Sequence, residues 1–280
     1  KINFFKNTNI KFLSLKFNLI DKIWKRSQKT KTKKFYLLPE SSIGQNYNLK
    51  INRVVSNLEN KKVDYQFISA SENNAWLLNI RGSDTNYAPL PHCYILISKN
   101  KNIILLCDLK KISGNIKKKL NNVKFLDIKL TEKILSKIDG KKFIVDRETC
   151  SIFFENIISI NNTILNLSDP IYYFKAIKSK KEIANIKKAH ISDGVALTKY
   201  LFWLSRCFLK KKITEISASQ KLLNFRKKNK DYLFASFPTI SGTGPNGAII
   251  HYKASKETNR QLKKGDIYLV DSGGHYKYGT

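Results

Sequence analysis

The sequence predicts an α/β domain followed by an α+β region. Three observations support this prediction. Short apolar runs alternate with stretches of helical spacing through residues 46–170, a long amphipathic stretch follows from residue 179, and strand-like runs with a Gly-rich loop come last. Alternating strands and helices are typical of an α/β domain, whereas helices followed by strands are typical of an α+β one.

The first domain contains both kinds of periodicity. Ile51, Val54, Val55 and Leu58 fall at helical spacing and predict a helix. Ser71 is placed to begin a short helix. Strands are predicted at residues 64–70, 93–98, 102–108, 123–128, 142–145 and 163–167. The second and third of these are separated by a few polar residues, so we expect a hairpin.

The second part begins after Asp169-Pro170. Ser179 and Glu182 have the spacing of a capping box, in which both side chains satisfy free N–H groups at a helix start. Apolar residues then predict one helix to about residue 208, and a second helix is predicted over 214–227. Strands are predicted at FPTIS, at AIIHY and at DIYLVD, with the loop GTGPNG after the first.

The N-terminal residues predict a different organisation. Residues 1–17 alternate polar and apolar side chains, as in the last strand of a domain that began earlier. Residues 18–45 are rich in Lys, Thr and Ser, which is typical of a linker. Because the chain begins with Lys1 and contains no Met, we expect that its start is missing.

Composition excludes several classes of function. The 280 residues are 42% hydrophobic and 26% charged, which is ordinary for a folded domain. The net charge of +31 suggests a polyanionic partner, yet only seven of the 52 basic residues are Arg and the Lys are spread along the chain. We therefore predict no nucleic-acid partner. No apolar run approaches the ~20 residues that span a bilayer, so we predict no membrane partner.

The four cysteines are widely spaced, mostly within apolar runs. Their spacing fits neither a zinc site nor a short disulfide framework. Buried free thiols in a reducing compartment are therefore expected, and a cytoplasmic location with them.

Asp271 is the sharpest candidate for chemistry. It ends the apolar run IYLV and is followed by Ser-Gly-Gly. An ionised carboxylate that leaves a buried strand is costly unless a positive charge meets it, and a divalent cation prefers such oxygen ligands. The alternative is a β-turn without metal, since Asp, Ser and Gly are common turn residues.

Two further residues are candidates for substrate binding. His251 closes the run AIIHY, where it could donate to a substrate carbonyl or shuttle a proton, or could be structural. Arg81 follows the run WLLNI, where it could anchor a carboxylate or carbonyl group. The alternative for Arg81 is a loop residue paired with Asp84.

Four segments together resemble the Xaa-Pro aminopeptidase (aminopeptidase P) family. They are WLLNIRGSD at 76–84, KAIKSKKEIANIKKAHISDGVAL at 175–197, FPTISGTGPNGAIIHY at 237–252 and KGDIYLVDSGGHY at 264–276. The resemblance implies creatinase-like α/β N-terminal domains followed by an α+β pita-bread catalytic domain. Residues 1–17 would end a truncated first domain, 46–170 would form the second, and 171–280 would be the front portion of the catalytic domain.

The resemblance also implies an activity and its residues. Family members release the N-terminal residue from peptides with proline at position two, using two divalent metal ions, commonly manganese, and they are homodimers. Asp271 resembles the first metal-ligating carboxylate, His251 a substrate-binding and catalytic histidine, and Arg81 an arginine at the peptide-binding mouth. The remaining ligands are expected beyond Thr280, so these residues alone are expected to be an inactive fragment.

Two positions depart from the family pattern. Tyr278 stands where Asp is usual and His275 where Gln is frequent, although neither position is a ligand. The alternative to an enzyme is a metal-free pita-bread module that binds a protein or peptide without catalysis. Retention of Asp271 and His251 favours the enzyme.

Overall fold

The computed structural model describes residues 7–13, 15, 17–24, 33–208 and 210–280. The chain divides into two compact units, residues 1–32 and 33–280. The described part of the first unit contains the short helix Ile20–Ile23 (α1). The strand predicted within 1–17 is not found there, because Ile10, Leu13 and Leu15 stay exposed and the alternation buries no face. The rest of that segment lies outside the described residues, as do 25–32 of the predicted linker.

A six-stranded mixed sheet and a separate pair of short strands form the first part of the second unit. The strands of this part are Tyr36–Leu37 (β1), Tyr65–Ile68 (β2), Ile80–Arg81 (β3), Cys93–Ser98 (β4), Ile103–Cys107 (β5), Val123–Asp127 (β6), Lys142–Val145 (β7) and Thr163–Asn166 (β8). The sheet order is β6-β5-β4-β2-β7-β8. The antiparallel β4–β5 pair confirms the predicted hairpin. The β2–β4 pair is also antiparallel, and the pairs β5–β6, β2–β7 and β7–β8 are parallel.

Helices cover both faces of this sheet. They are Tyr47–Asn60 (α2), Ser71–Leu77 (α3), Gly114–Lys119 (α4), Thr131–Ser136 (α5), Ile152–Asn161 (α6) and Pro170–Ala176 (α7). Successive strand side chains point to opposite faces, so Ile68 joins the core beneath α2, whereas Phe67 joins a second core that contains Leu135 and Ile158. The predicted helix of Ile51 and Leu58 is α2, whose apolar side is buried. This part is an α/β domain, as predicted.

Residues 33–45 belong to the second unit and pack against its sheet domain. Phe35 is buried in the main core, and β1 pairs with β3. Part of the segment predicted as a linker is therefore a strand. Gly44 lies so close to helix 180–207 that an added Cβ would stand 2.6 Å from the carboxyl carbon of Glu182.

Two helices and two short β-ribbons form the remainder. They are Lys180–Cys207 (α8), Glu215–Lys227 (α9), Tyr232–Ala235 (β9), Ile240–Thr243 (β10), Tyr268–Asp271 (β11) and Gly274–Tyr276 (β12). Ser179 and Glu182 form the predicted capping box, and Thr214 caps α9. Strand β10 pairs with β11, and β9 with β12. Helices followed by strands confirm the predicted α+β character, although β9 was not predicted.

The strand predicted at AIIHY is wrong. Residues 244–248 form a 3-10 helix, and a turn follows that contains His251. Ile249 and Ile250 are exposed, and no strand of the described residues pairs with them. An apolar run needs a neighbouring strand for its backbone hydrogen bonds, and without one the turn residues decide the conformation.

The cysteines agree with the expectation of buried free thiols. All four thiols are free, and Cys93, Cys107 and Cys150 are buried. Burial raises the pKa of the Cys150 thiol to about 11, which makes it an inert core residue. None of the described helices is both long and apolar enough to cross a bilayer.

Candidate functional site

Asp271 lies at the end of β11, opposite Ile240 of β10. Tyr268 and Val270 pack against the core of α8 and α9, whereas Asp271 alternates with them and points to the exposed side. The prediction that Asp271 leaves a buried strand is therefore wrong, and water can hydrate its carboxylate. Its desolvation thus supplies no argument for a cation.

The segment after Asp271 is held by a partly buried ion pair between Arg226 and Asp193. Arg226 on α9 is 2% exposed and donates to both carboxylate oxygens of Asp193 at 2.8 Å. Its Nη2 also donates to the Ser272 hydroxyl at 3.0 Å, and the Tyr276 hydroxyl donates to Asp193 at 2.8 Å. These bonds fix the backbone on the C-terminal side of Asp271, so the segment is more constrained than an exposed turn.

His251 lies in an exposed turn with a left-handed backbone, φ +53°. The loop that carries it is fixed by Glu215, which is fully buried at the first position of α9. Glu215 accepts hydrogen bonds from the Thr243 amide and the Tyr252 hydroxyl, both at 2.8 Å, and from the Arg260 amide at 3.0 Å. The Asn246 side chain donates to it as well.

These bonds also determine the charge of Glu215. Burial opposes ionisation, but the hydrogen bonds from Arg260, Thr243, Tyr252 and Asn246 outweigh it and lower the pKa of Glu215. The carboxylate thus stays charged and ties two loops to α9. In the sequence Glu215 is only an acidic residue in the first turn of a predicted helix. No sequence pattern indicates that its side chain is buried and anchors two loops.

Arg81 lies in β3 and is half-buried. Its Nη1 donates to the carbonyl oxygens of Ala75 at 3.0 Å and Ile80 at 2.9 Å. The suggested pairing with Asp84 is wrong, because Asp84 pairs with Lys111 at 2.6 Å. The partner of Asp84 comes from a 3-10 helix distant in sequence, Leu109–Lys111, which local spacing cannot identify.

A cavity of about 600 Å³ lies beside Arg81. Side chains of Arg81, Lys50, Trp76, Glu182 and His275 line it, and neither Asp271 nor His251 does. The structure therefore separates Arg81 from the other two candidates. Among the described residues, no group of three or more His, Cys, Asp or Glu side chains could hold a metal ion.

His275 closes one side of this cavity. One ring nitrogen lies 2.8 Å from the Tyr87 carbonyl oxygen, and the other lies 2.7 Å from the Thr280 hydroxyl. Tyr278 is held by its hydroxyl, 2.8 Å from that of Ser192. Both departures from the family pattern thus make contacts within this chain.

Comparison with known proteins identifies the class. Residues 25–182 match the family described as Creatinase/Prolidase N-terminal domain, and residues 184–280 match metallopeptidase family M24. The class is therefore a creatinase-like α/β domain followed by part of an M24 pita-bread domain, which confirms the predicted fold. The exact boundaries predicted at residues 45 and 170 stay a prediction.

Relatives with known names show which kind of metallopeptidase the chain resembles. Xaa-Pro aminopeptidase 1 of Dictyostelium discoideum is 34% identical over 98% of this chain and 45% of its own length. Xaa-Pro aminopeptidase ApepP of Drosophila melanogaster is 36% identical over 94% of the chain and 44% of its own length. The chain belongs to the creatinase/prolidase N-terminal domain family, whose model matches residues 25–182, and it is similar to Xaa-Pro aminopeptidases, about half of whose length it spans.

Solved structures agree with this assignment. The X-prolyl aminopeptidase of Caenorhabditis elegans, described as a cytosolic enzyme with a di-nuclear active site, superposes with a TM-score of 0.88. The match has 26% identity and covers 95% of this chain and 45% of that one. A Bacillus anthracis Xaa-Pro dipeptidase shares the fold with a TM-score of 0.63, at 20% identity over 83% of this chain and 62% of its own.

Proposed function

We propose that the whole protein is a metal-dependent Xaa-Pro aminopeptidase, which releases the N-terminal residue from peptides with proline at position two. The observation that carries the proposal is Asp271, a carboxylate at the end of β11 within the segment that matches family M24. Further support comes from two relatives named Xaa-Pro aminopeptidase that align with at least 94% of the chain.

The proposed cofactor is a pair of divalent metal ions, with Mn²⁺ as the candidate. Bound metal lowers the pKa of a coordinated water and polarises the scissile carbonyl. Asp271 fits as one ligand, because its exposed carboxylate is a hard oxygen donor. The described residues form no group of three or more metal-ligating side chains, so we propose that the other ligands follow Thr280 and that this chain alone does not hydrolyse peptides.

The other two candidates are proposed to bind substrate. His251 projects from the loop that Glu215 anchors, and its exposed ring can donate to a carbonyl or exchange a proton. Arg81 would reach the peptide through the cavity that it lines. A homodimer and a cytoplasmic location are proposed as well. Light scattering of the purified protein tests the dimer, and imaging of a tagged protein tests the location.

The decisive experiment compares the whole gene product with the 280-residue chain. With Mn²⁺ supplied, we expect the whole protein to cleave a Xaa-Pro peptide and the 280-residue chain not to. Asp271→Asn in the whole protein should lower kcat/KM at least about 100-fold, whereas Asp139→Asn, at an exposed position, should not. Binding of the peptide without cleavage by the whole protein would contradict the proposal and favour a metal-free binding module.

A further inference from the structure

The cavity beside Arg81 has the size of a small-molecule site. Its volume of about 600 Å³ falls within the roughly 300–1,000 Å³ that such sites occupy. Its walls come from α2, β3, the start of α8 and residues 275–280, so elements distant in sequence converge on it. Because Asp271 and His251 do not line it, it is separate from the proposed metal site.

Lys50 is a buried lysine in the wall of this cavity, and burial lowers its pKa to about 7, so it carries its positive charge below that pH. It is 2% exposed, and its Nζ donates to the Trp76 carbonyl oxygen and the Asn79 side-chain oxygen, both at 2.7 Å. The ammonium also lies 4.1 Å from the centroid of the Trp76 ring. Among the described residues no carboxylate forms an ion pair with it. Neutral acceptors compensate a buried charge only in part.

Arg81 is a second cation without a carboxylate partner among the described residues. Its Nη1 is used by two backbone carbonyls, and its Nε and Nη2 have no acceptor in the described part of the chain. Burial lowers the pKa of Arg81, although a guanidinium stays protonated in proteins. The free edge of this planar group is suited to two oxygens of one anion.

The other charged residues of the lining offset these two positive charges only in part. Glu182 is the acidic residue of the lining; it accepts from the Ser179 amide at 2.8 Å in the capping box, and its charge offsets one cation. Lys178 adds a further positive charge, and Lys277 is paired with Asp231 at 3.3 Å. The cavity therefore has an excess of positive charge.

We propose that this cavity is an anion-binding site, in which Arg81 and Lys50 hold the phosphate or carboxylate group of a small metabolite. The anion would supply the negative charge that Arg81 and protonated Lys50 lack, and Arg81 would bind two of its oxygens through Nε and Nη2. The volume leaves space for a group attached to the anion, beside Tyr36 and Tyr278. Arg81 is also the residue proposed to reach the peptide through this cavity, so the anion site shares it with the proposed function, but the occupancy of the site can be measured without hydrolysis.

Calorimetric titration of the 280-residue chain tests the proposal, with inorganic phosphate and citrate as probes. Ionic strength is held constant with chloride, because a chain of net charge +31 attracts any anion weakly. We expect one saturable site for at least one probe, and the stronger probe indicates whether phosphate or carboxylate is the preferred group. Arg81→Gln should weaken binding at least about tenfold, since it removes charge-assisted hydrogen bonds.

Lys99→Gln is the matched control, since it removes one surface charge that pairs with Asp64. It should leave the affinity unchanged. Lys50→Met should weaken binding as Arg81→Gln does, and circular dichroism shows whether each variant is folded. Absence of a saturable site for both probes would overturn the proposal, as would equal affinity in the parent chain and in either folded cavity variant. Neither result would affect the test at Asp271.

Discussion

Replacing Lys50 with Met should change how the stability of the chain depends on pH. Burial lowers the pKa of Lys50 from 10.5 to about 7, while Glu182 on α8 opposes this shift and Arg81 on β3 adds to it. The unfolded chain keeps the ordinary value. Between these two values the unfolded chain holds a proton on Lys50 that the folded chain has released.

The sign and size of the effect follow from this difference. Stability rises with pH wherever the unfolded chain binds more protons, so the destabilisation by Lys50 is complete below about pH 7 and fades as the pH approaches 10.5. The slope is at most about 1.4 kcal/mol per pH unit, and the whole range corresponds to about 5 kcal/mol. Removal of the amine also leaves the Trp76 and Asn79 oxygens without a donor, which costs about the same at every pH.

Urea unfolding of both proteins between about pH 6 and about pH 9 measures the effect. The free energy of unfolding of the parent, relative to Lys50→Met, should rise by roughly 2–3 kcal/mol from pH 7 to pH 9. Lys99→Met is the control, since Lys99 is protonated in both states over this range and should give a constant difference. A constant difference for Lys50→Met as well would refute the reasoning, because it would mean that Lys50 titrates as an ordinary lysine.

Three further substitutions and one control substitution test the packing by urea unfolding, at neutral pH except where another pH is stated. Glu215→Gln should lower the free energy of unfolding by about 1–3 kcal/mol. The loss should be smaller below the ordinary glutamate pKa of 4.5, because there the parent protein loses the contribution of the ionised carboxylate. A loss that grows in acid would contradict this. Asp193→Asn leaves the buried Arg226 guanidinium without its carboxylate partner and should lower the free energy of unfolding by about 3–5 kcal/mol. A loss below about 1 kcal/mol would show that water compensates the guanidinium. Leu58→Ala should cost about 2–5 kcal/mol and Leu49→Ala, at an exposed position, nearly nothing, whereas equal losses would contradict the assigned face of α2.

The sheet domain could be predicted because its local patterns coincide with its burial. The spacing of Ile51, Val54, Val55 and Leu58 fixes one face of α2, and all four side chains are buried. The capping box at Ser179 involves only residues three positions apart, so the sequence contains the whole interaction. The sequence predicts these elements correctly because the contacts that define them join residues only a few positions apart.

The failures come from contacts between distant residues. The run AIIHY has strand composition, but no described strand pairs with it, and an apolar run without a neighbour does not form a ladder. Asp84 lies three residues from Arg81, yet Lys111 is its partner. Spacing along the chain cannot identify such partners, because they are set by the fold.

Part of the candidate site could nevertheless have been found from the sequence. The cost of an unpartnered charge concerns the buried Lys50 and not Asp271, which is exposed. Tyr47, Lys50, Ile51, Val54, Val55 and Leu58 form one helical stripe, so a lysine stands where only buried side chains belong. Of the described lysines, Lys50 is the buried one. In a chain with so many solvated lysines, the informative one is the lysine that breaks an apolar stripe, because its burial must be compensated by the rest of the fold or by a ligand.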